Sequence, residues 1–255
     1  MDLKFNIKLG EKYRSSSQKA RVLTESWVEN NLFCPRCGHN KICHFSNNRP
    51  VADFYCPNCK SQYELKSKHG TLGTKIADGA YRTMIERITG NENPDFLVMS
   101  YSLSDMSVTN LVFIPKFFFL PDIIEKRPPL PPTARRAGWI GCNLLIDRIP
   151  QQGRISIISD GLEQNQKHIL ERVNASQKLN TYNILYRSWM MDILNCINAI
   201  PKYYFELSEL YAFENILAEK HQNNHNIRPK IRQQLQLLRD KGIVEFIEKG
   251  KYRKL

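Results

Sequence analysis

Val51-Ala-Asp53-Phe-Tyr-Cys56-Pro-Asn-Cys59-Lys-Ser-Gln-Tyr-Glu64-Leu-Lys66 is the stretch on which the reading of this chain turns. Val51–Tyr55 and Gln62–Lys66 read as two strands, with the Cys56–Cys59 turn between them. Residues two apart on a strand share a face, so Glu64 and Lys66 project together. Folding the first strand back on the second sets Asp53 diagonally opposite them, within reach of one shared ion. Two carboxylates suit a hard cation such as Mg²⁺. Such an ion polarises a phosphoryl oxygen and lowers the pKa of a bound water. A lysine beside it can position that water, steady charge on phosphorus, or help deprotonate the nucleophile. The competing reading is an ordinary solvated strand, since Asp, Glu and Lys are common on surfaces. Glu25, on a helix read from Ser17 to Asn30, is a candidate accessory acid.

The turn inside this stretch repeats one that precedes it. Cys34-Pro-Arg-Cys37 and Cys56-Pro-Asn-Cys59 are separated by eighteen residues, a spacing typical of a structural zinc site. Each turn points two thiolates inward, and the two together complete a tetrahedral shell around Zn²⁺. A redox dithiol needs one pair, not two. Such a bracket would hold Asp53 and Glu64 rigidly. His39 and His44 lie nearby as substitute ligands that the cysteine set does not need. Cys43, Cys142 and Cys196 stand alone and read as core thiols.

Working outward, the 255 residues carry 37 Lys and Arg against 25 Asp and Glu, a formal net charge of +12. That surplus favours a polyanionic partner, nucleic acid before an anionic membrane surface. A hydrophobic content of 42% is globular and argues against disorder. The longest apolar run, around Phe117–Leu120, is broken by Lys116 and Pro121, too short to span a bilayer. The opening MDLKFNIKLGEKYRSSS lacks the apolar core of a signal peptide. With thiolate zinc chemistry suited to a reducing compartment, the expectation is a cytoplasmic protein with no membrane association.

Further along, a helix is expected over about Ile76–Thr89, and strands over Phe96–Tyr101, Asn110–Pro115 and Arg154–Ser159. The proline-rich run at 128–132 must be extended. This order is that of an α/β domain with a mixed sheet. Asn174–Asn183 is polar and without a strong period, and reads as a linker. Helix-like stretches follow at Ile184–Ile197, Leu207–Lys220 and Pro229–Lys241. A hairpin, Ile243–Ile247 with Lys251–Lys254, ends the chain. Three helices and a two-stranded wing make a winged helix-turn-helix, its third helix the one that enters a DNA groove. The domains are therefore placed at 1–180 and 183–255.

Residues 226–255 hold nine Lys or Arg against three acids, half the net charge of the chain. Arg232, Gln236 and Arg239 fall on one helix face, opposite an apolar stripe of Ile231, Leu235 and Leu238. Arg and Gln are suited to guanine and adenine edges respectively. Tyr252, between Lys251 and Arg253, reads as a wing tip for phosphate contact. In the first domain Arg135, Arg136 and Trp139 follow the proline-rich loop, where a Trp beside two cations can stack on or wedge between bases. Lys230 and Gln233 complete the expected DNA-binding set.

These residues carry a resemblance. Asp53…Glu64-Leu65-Lys66 resembles the active site of the PD-(D/E)XK nucleases. NNRPVADFYC, ELKSK, PTARRAGWIGCN and IRQQLQLLRDKGIVEF…GKYRKL resemble, over essentially the whole chain, the DpnI family of methyl-directed type II restriction endonucleases, which join such a nuclease to a winged helix. One departure is that the residue before Asp53 is Ala52, with the proline two positions earlier at Pro50. The resemblance implies Mg²⁺-dependent double-strand cutting of GATC only where its adenine carries an N6-methyl group, with both domains on the DNA. Asp53, Glu64 and Lys66 become catalytic, with Leu65 giving Mg²⁺ its backbone carbonyl, and Trp139 meets the methylated bases. The protein is expected to be a monomer. The alternatives are a zinc-stabilised winged-helix regulator without catalysis, and a nuclease of the same fold with another sequence or methylation specificity.

Overall fold

A computed structural model describes residues 1–45, 52–181 and 183–255. Val51, at the start of the first expected strand, and Pro50 lie outside them. The chain divides into two compact units: Met1–Asp147 with Gln152–Gln177, and Arg148–Gln151 with Lys178–Leu255.

The first unit runs α1 (Ser16–Asn31), β1 (Cys43–His44), β2 (Phe54–Tyr55), β3 (Gln62–His69), β4 (Lys75–Ala80), α2 (Tyr81–Thr89), β5 (Asp95–Ser102), β6 (Ser107–Ile114), β7 (Ile124–Lys126), β8 (Gly141–Leu145), β9 (Ile155–Ser159), β10 (Leu162–Glu163) and α3 (Gln166–Gln177). Among the described residues, seven strands form a mixed sheet in the order β1-β2-β3-β5-β6-β9-β10. Only β3 and β5 run parallel, joined by the β4–α2 excursion; the other neighbours are antiparallel. β5 lies at the centre and is buried along all but its last residue, in keeping with its apolar run Phe96–Met99. Its alternate residues serve two layers. Leu97, Met99 and Tyr101 meet Leu23, Trp27 and Val28 of α1 and Ile169 and Val173 of α3 in one core, while Phe96 stacks on Phe119, ring centroids 4.3 Å apart.

β4, β8 and β7 form a second, three-stranded sheet, against which α2 packs. Here the sequence reading is corrected. The helix expected from Ile76 begins at Tyr81, and Ile76–Ala80 is strand. Asp78 and Gly79 are poor helix formers, and pairing with β8 decides the conformation. The expected linker is corrected too, since its first four residues, 174–177, continue α3.

The two cysteine turns are near copies. Gly38 N–H donates to Cys34 O at 2.9 Å and Lys60 N–H to Cys56 O at 3.0 Å. Gly38 and Lys60 both take left-handed backbone, φ 76° and 63°, free for glycine and a modest cost for lysine. The first turn is fastened to the sheet by Arg36, whose guanidinium grips Asp95 at 2.6 and 2.7 Å. Asp95 also accepts the Lys116 N–H at 2.8 Å. Its side chain is 4% exposed, so Asp95→Ala would strand a largely buried guanidinium. The expected loss is about 3–5 kcal/mol, read as a lower urea midpoint with unchanged slope.

The second unit comprises α4 (Ile184–Ala199), β11 (Tyr204–Glu206), α5 (Leu207–Tyr211), α6 (Glu214–Lys220), α7 (Ile227–Asp240), β12 (Val244–Glu248) and β13 (Lys251–Lys254). Asn183 caps α4 by accepting the Leu185 and Tyr186 N–H groups. The single helix expected over Leu207–Lys220 is two, with a break at 212–213 that no Gly or Pro announces. The wing has three strands, β11-β13-β12, rather than two. Ile231, Leu235 and Leu238 of α7 are fully buried, as their spacing requires. Among the described residues no helix is long and apolar enough to cross a membrane.

Candidate active site and metal centre

The four thiols of Cys34, Cys37, Cys56 and Cys59 lie within 4.8 Å of one another. Cys34 and Cys59 sulfurs are 3.6 Å apart, and Cys37 and Cys56 sulfurs 3.7 Å. Four sulfurs at about 2.3 Å from a tetrahedral Zn²⁺ would be about 3.8 Å apart, so the group fits zinc. The Tyr63 hydroxyl sits 2.9 Å from the Cys34 sulfur. Burial works against the Cys37 thiolate, yet hydrogen bonds from the Asn58 amide and the His39 backbone bring its pKa down to about 6, favouring a ligand form. His44 does not join the cluster: its ring bonds Glu25 and the Phe45 carbonyl. Of the three lone cysteines, Cys142 and Cys196 are buried, whereas Cys43 is only half-buried.

The second cysteine turn links β2 to β3, and their register, Phe54↔Tyr63, carried on by one residue sets Asp53 opposite Glu64. One Asp53 oxygen, Oδ2, accepts the Leu65 N–H at 2.7 Å, which brings the carboxylate beside the Leu65 peptide. Glu64 and Lys66 share a face of β3, and the Lys66 ammonium is 2.6 Å from Glu64 Oε1. Arg87 of α2 approaches the other Glu64 oxygen at 3.3 Å. Burial, with help from nearby Asp78, raises the Glu64 pKa above its usual value. Burial alone would lower Lys66, but the carboxylates of Glu64 and Asp78 outweigh it and hold the ammonium above its ordinary pKa. Lys66 is therefore held as a charged donor.

Asp78, on β4, was not legible because its segment reads as helix. Its carboxylate is in close contact with the Lys66 ammonium, and its side chain is 3% exposed. Glu25 belongs to a neighbouring group, bonded by Arg21 at 2.7 Å and His44 at 3.2 Å. The nearby Asp53 adds to the field that raises Arg21. Among the described residues, no set of three ligating groups other than the four cysteines is gathered closely enough to share an ion.

The basic residues fall on separate elements. Arg135 and Arg136 are exposed in the connection between β7 and β8. Trp139 is half-buried: the Arg136 guanidinium lies 4.5 Å from its ring centroid, and a Cβ on Gly141 would come within 2.8 Å of the ring. Gly141 is thus required by close approach of the indole. In the second unit Arg232, Gln233, Gln236 and Arg239 share the exposed side of α7. Lys230 instead lies over the rings of Tyr186 and Trp189, at 4.9 and 5.8 Å, and burial lowers its pKa. Tyr252 is not a wing tip. It is half-buried within β13, stacked on Phe205 and against Phe246. Its neighbours Lys251 and Arg253 pair with Glu248 and Glu245, and the turn itself is 249–250.

Comparison with known families agrees with this architecture. Residues 1–182 match the DpnI, or Dam-replacing, family, and residues 186–254 match the Dam-replacing HTH domain. A mixed α/β unit with a four-cysteine cluster, followed by a helix-turn-helix unit, places the chain in the DpnI family of methylation-dependent restriction enzymes.

Proposed function

We propose that this chain is a type II endonuclease that makes double-strand cuts in GATC sites carrying N6-methyladenine, by Mg²⁺-dependent hydrolysis of the phosphodiester. Residues 1–180 would carry the nuclease and 183–255 the DNA-binding winged helix. The observation that supports it most is the juxtaposition of Asp53, the Leu65 peptide, Glu64 and Lys66 on two strands bracketed by the cysteine turns.

The donor set suits a hard cation: among the described residues Asp53 keeps Oδ1 free of hydrogen bonds, Glu64 adds a second carboxylate, and the Leu65 carbonyl is the expected third ligand. When bound, Mg²⁺ supplies polarisation of a phosphoryl oxygen and a lower pKa for a coordinated water. Lys66, held charged, orients the attacking water and donates to the charge that accumulates on the phosphoryl oxygens. The α7 residues Arg232, Gln233, Gln236 and Arg239 present guanidinium and amide groups to base edges and phosphates. Arg135 and Arg136 hold phosphates beside Trp139.

Methyl selectivity has a modest and calculable physical base. Burying one methyl against an indole is worth about 0.8 kcal/mol, roughly fourfold, and two symmetric methyls roughly 15-fold. Trp139→Ala is therefore expected to reduce the preference for methylated over unmethylated GATC by roughly 15-fold, measured as a ratio of kcat/KM. The direct test incubates the protein and Mg²⁺ with matched methylated and unmethylated GATC duplexes. Selective cutting of the methylated duplex supports the reading; equal cutting of both, or none of the methylated one, overturns it.

A further inference from the structure

The pairing of β4 with β8 slips between Asp78↔Cys142 and Ala80↔Gly141, a bulge at Gly79. Bulges re-aim the side chains beside them. Here Asp78 points to the Lys66 ammonium, and its Oδ1 also accepts the Gly79 N–H at 2.6 Å. Its other oxygen, Oδ2, is buried and takes no hydrogen bond among the described residues. Leaving a buried acceptor unused is costly, the more so when it is charged. Cys142, its partner across the strand, gives no counter-charge, since a thiol is neutral or anionic. One ammonium is thus divided between two carboxylates, Glu64 at 2.6 Å and Asp78. Of the two, only Glu64 neighbours Asp53 across β2 and β3.

We propose that Asp78 is a positioning residue that takes over the Lys66 ammonium when Glu64 turns to a divalent cation. The unused Oδ2 is the acceptor the transferred ammonium would fill. Asp78 then performs two tasks that no ligand of the ion can perform. It removes a competing cation from Glu64, and it keeps Lys66 anchored and aimed once that carboxylate is engaged. The inference rests on the Mg²⁺ reading of Asp53 and Glu64 given above.

The test follows Mn²⁺ binding to the full chain without DNA, by electron paramagnetic resonance, in a double-mutant cycle. Asp78→Asn is expected to weaken Mn²⁺ binding about tenfold, because Lys66 then rests on Glu64 alone and competes with the ion. In a Lys66→Met background the same substitution should change binding by no more than about twofold. Equal losses in both backgrounds would mean that Asp78 acts on the ion directly, and no loss in either would mean that it does not act; both overturn the proposal. Asp78→Glu should recover most of the affinity. In cleavage assays Asp78→Asn should lower kcat while leaving KM for methylated DNA unchanged. Should Asp78→Asn fail to fold by circular dichroism, Asp78→Ser carries the same comparison. A wild-type chain that binds no Mn²⁺ would instead sink the metal reading itself, a failure distinct from the two above.

Discussion

Asp53→Ala is expected to abolish cleavage of methylated GATC, by ~10³-fold or more in kcat, while duplex affinity stays within about twofold. The size follows from what the side chain does. A divalent ion at a phosphoryl oxygen is worth several kcal/mol of transition-state stabilisation, and ~4 kcal/mol is already ~10³ in rate. Asp53 has little structural duty to confuse the result. Among the described residues its side chain makes one hydrogen bond, to the Leu65 N–H, whereas the β2–β3 pairing rests on backbone bonds and on buried Phe54 and Tyr63. The surfaces proposed for DNA lie elsewhere, on α7 and in the β7–β8 connection. Single-turnover cleavage and fluorescence anisotropy on the same preparation separate the two effects. A zinc-stabilised regulator without catalysis would show no cleavage in the parent chain, leaving the substitution silent.

Loss of one cysteine ligand should produce the largest change in stability. For Cys34→Ser the expected outcome is loss of bound zinc by elemental analysis and a fall of roughly 10–20 °C in the unfolding midpoint. Zinc bound by such a set contributes ~10–16 kcal/mol, comparable with the whole stability of a typical domain. A loss of even ~5 kcal/mol at ~2–4 °C each gives that range. The effect should be global within the first unit because the turn is not a surface appendage. Cys34 is fully buried in the main core, meets the Tyr63 hydroxyl, and lies two residues from the Arg36–Asp95 pair. A chelator should reproduce the shift in the parent chain. An unchanged midpoint with zinc absent would show that the four thiols fold without the ion.

Much of this molecule is legible in its sequence, for specific reasons. The two Cys-Pro-x-Cys turns declare themselves by spacing alone, and β5 by the apolar run Phe96–Met99, which suits a buried strand. α1 and α7 follow from apolar residues recurring once per turn. What escaped depends on contacts distant in sequence. β4 looks like the start of a helix because Ile76 and Ala77 lead into the periodic Tyr81–Thr89, and only pairing with β8 reveals it as strand. With β4 went Asp78, the acid on Lys66. β11 is three residues long, too short for alternation to register, yet it converts the wing to three strands and sets Phe205 beneath Tyr252. That is why Tyr252 read as exposed. Lys230 looked like one more cation of the basic face, and the aromatic rings that hold it come from α4, more than forty positions earlier in the chain.

The strand order of the large sheet has a consequence for how the protein behaves in a crowded solution. Among the described residues its two outermost members, β1 (Cys43–His44) and β10 (Leu162–Glu163), are each two residues long. A long outer strand presents a row of unsatisfied N–H and C=O groups that another chain can extend, the route to aggregation. Among the described residues, the sheet thus ends on both sides in strands too short to serve as a template. Glu163, moreover, is occupied by the terminal ammonium of Met1. Margins of this kind offer another copy of the sheet little backbone to extend.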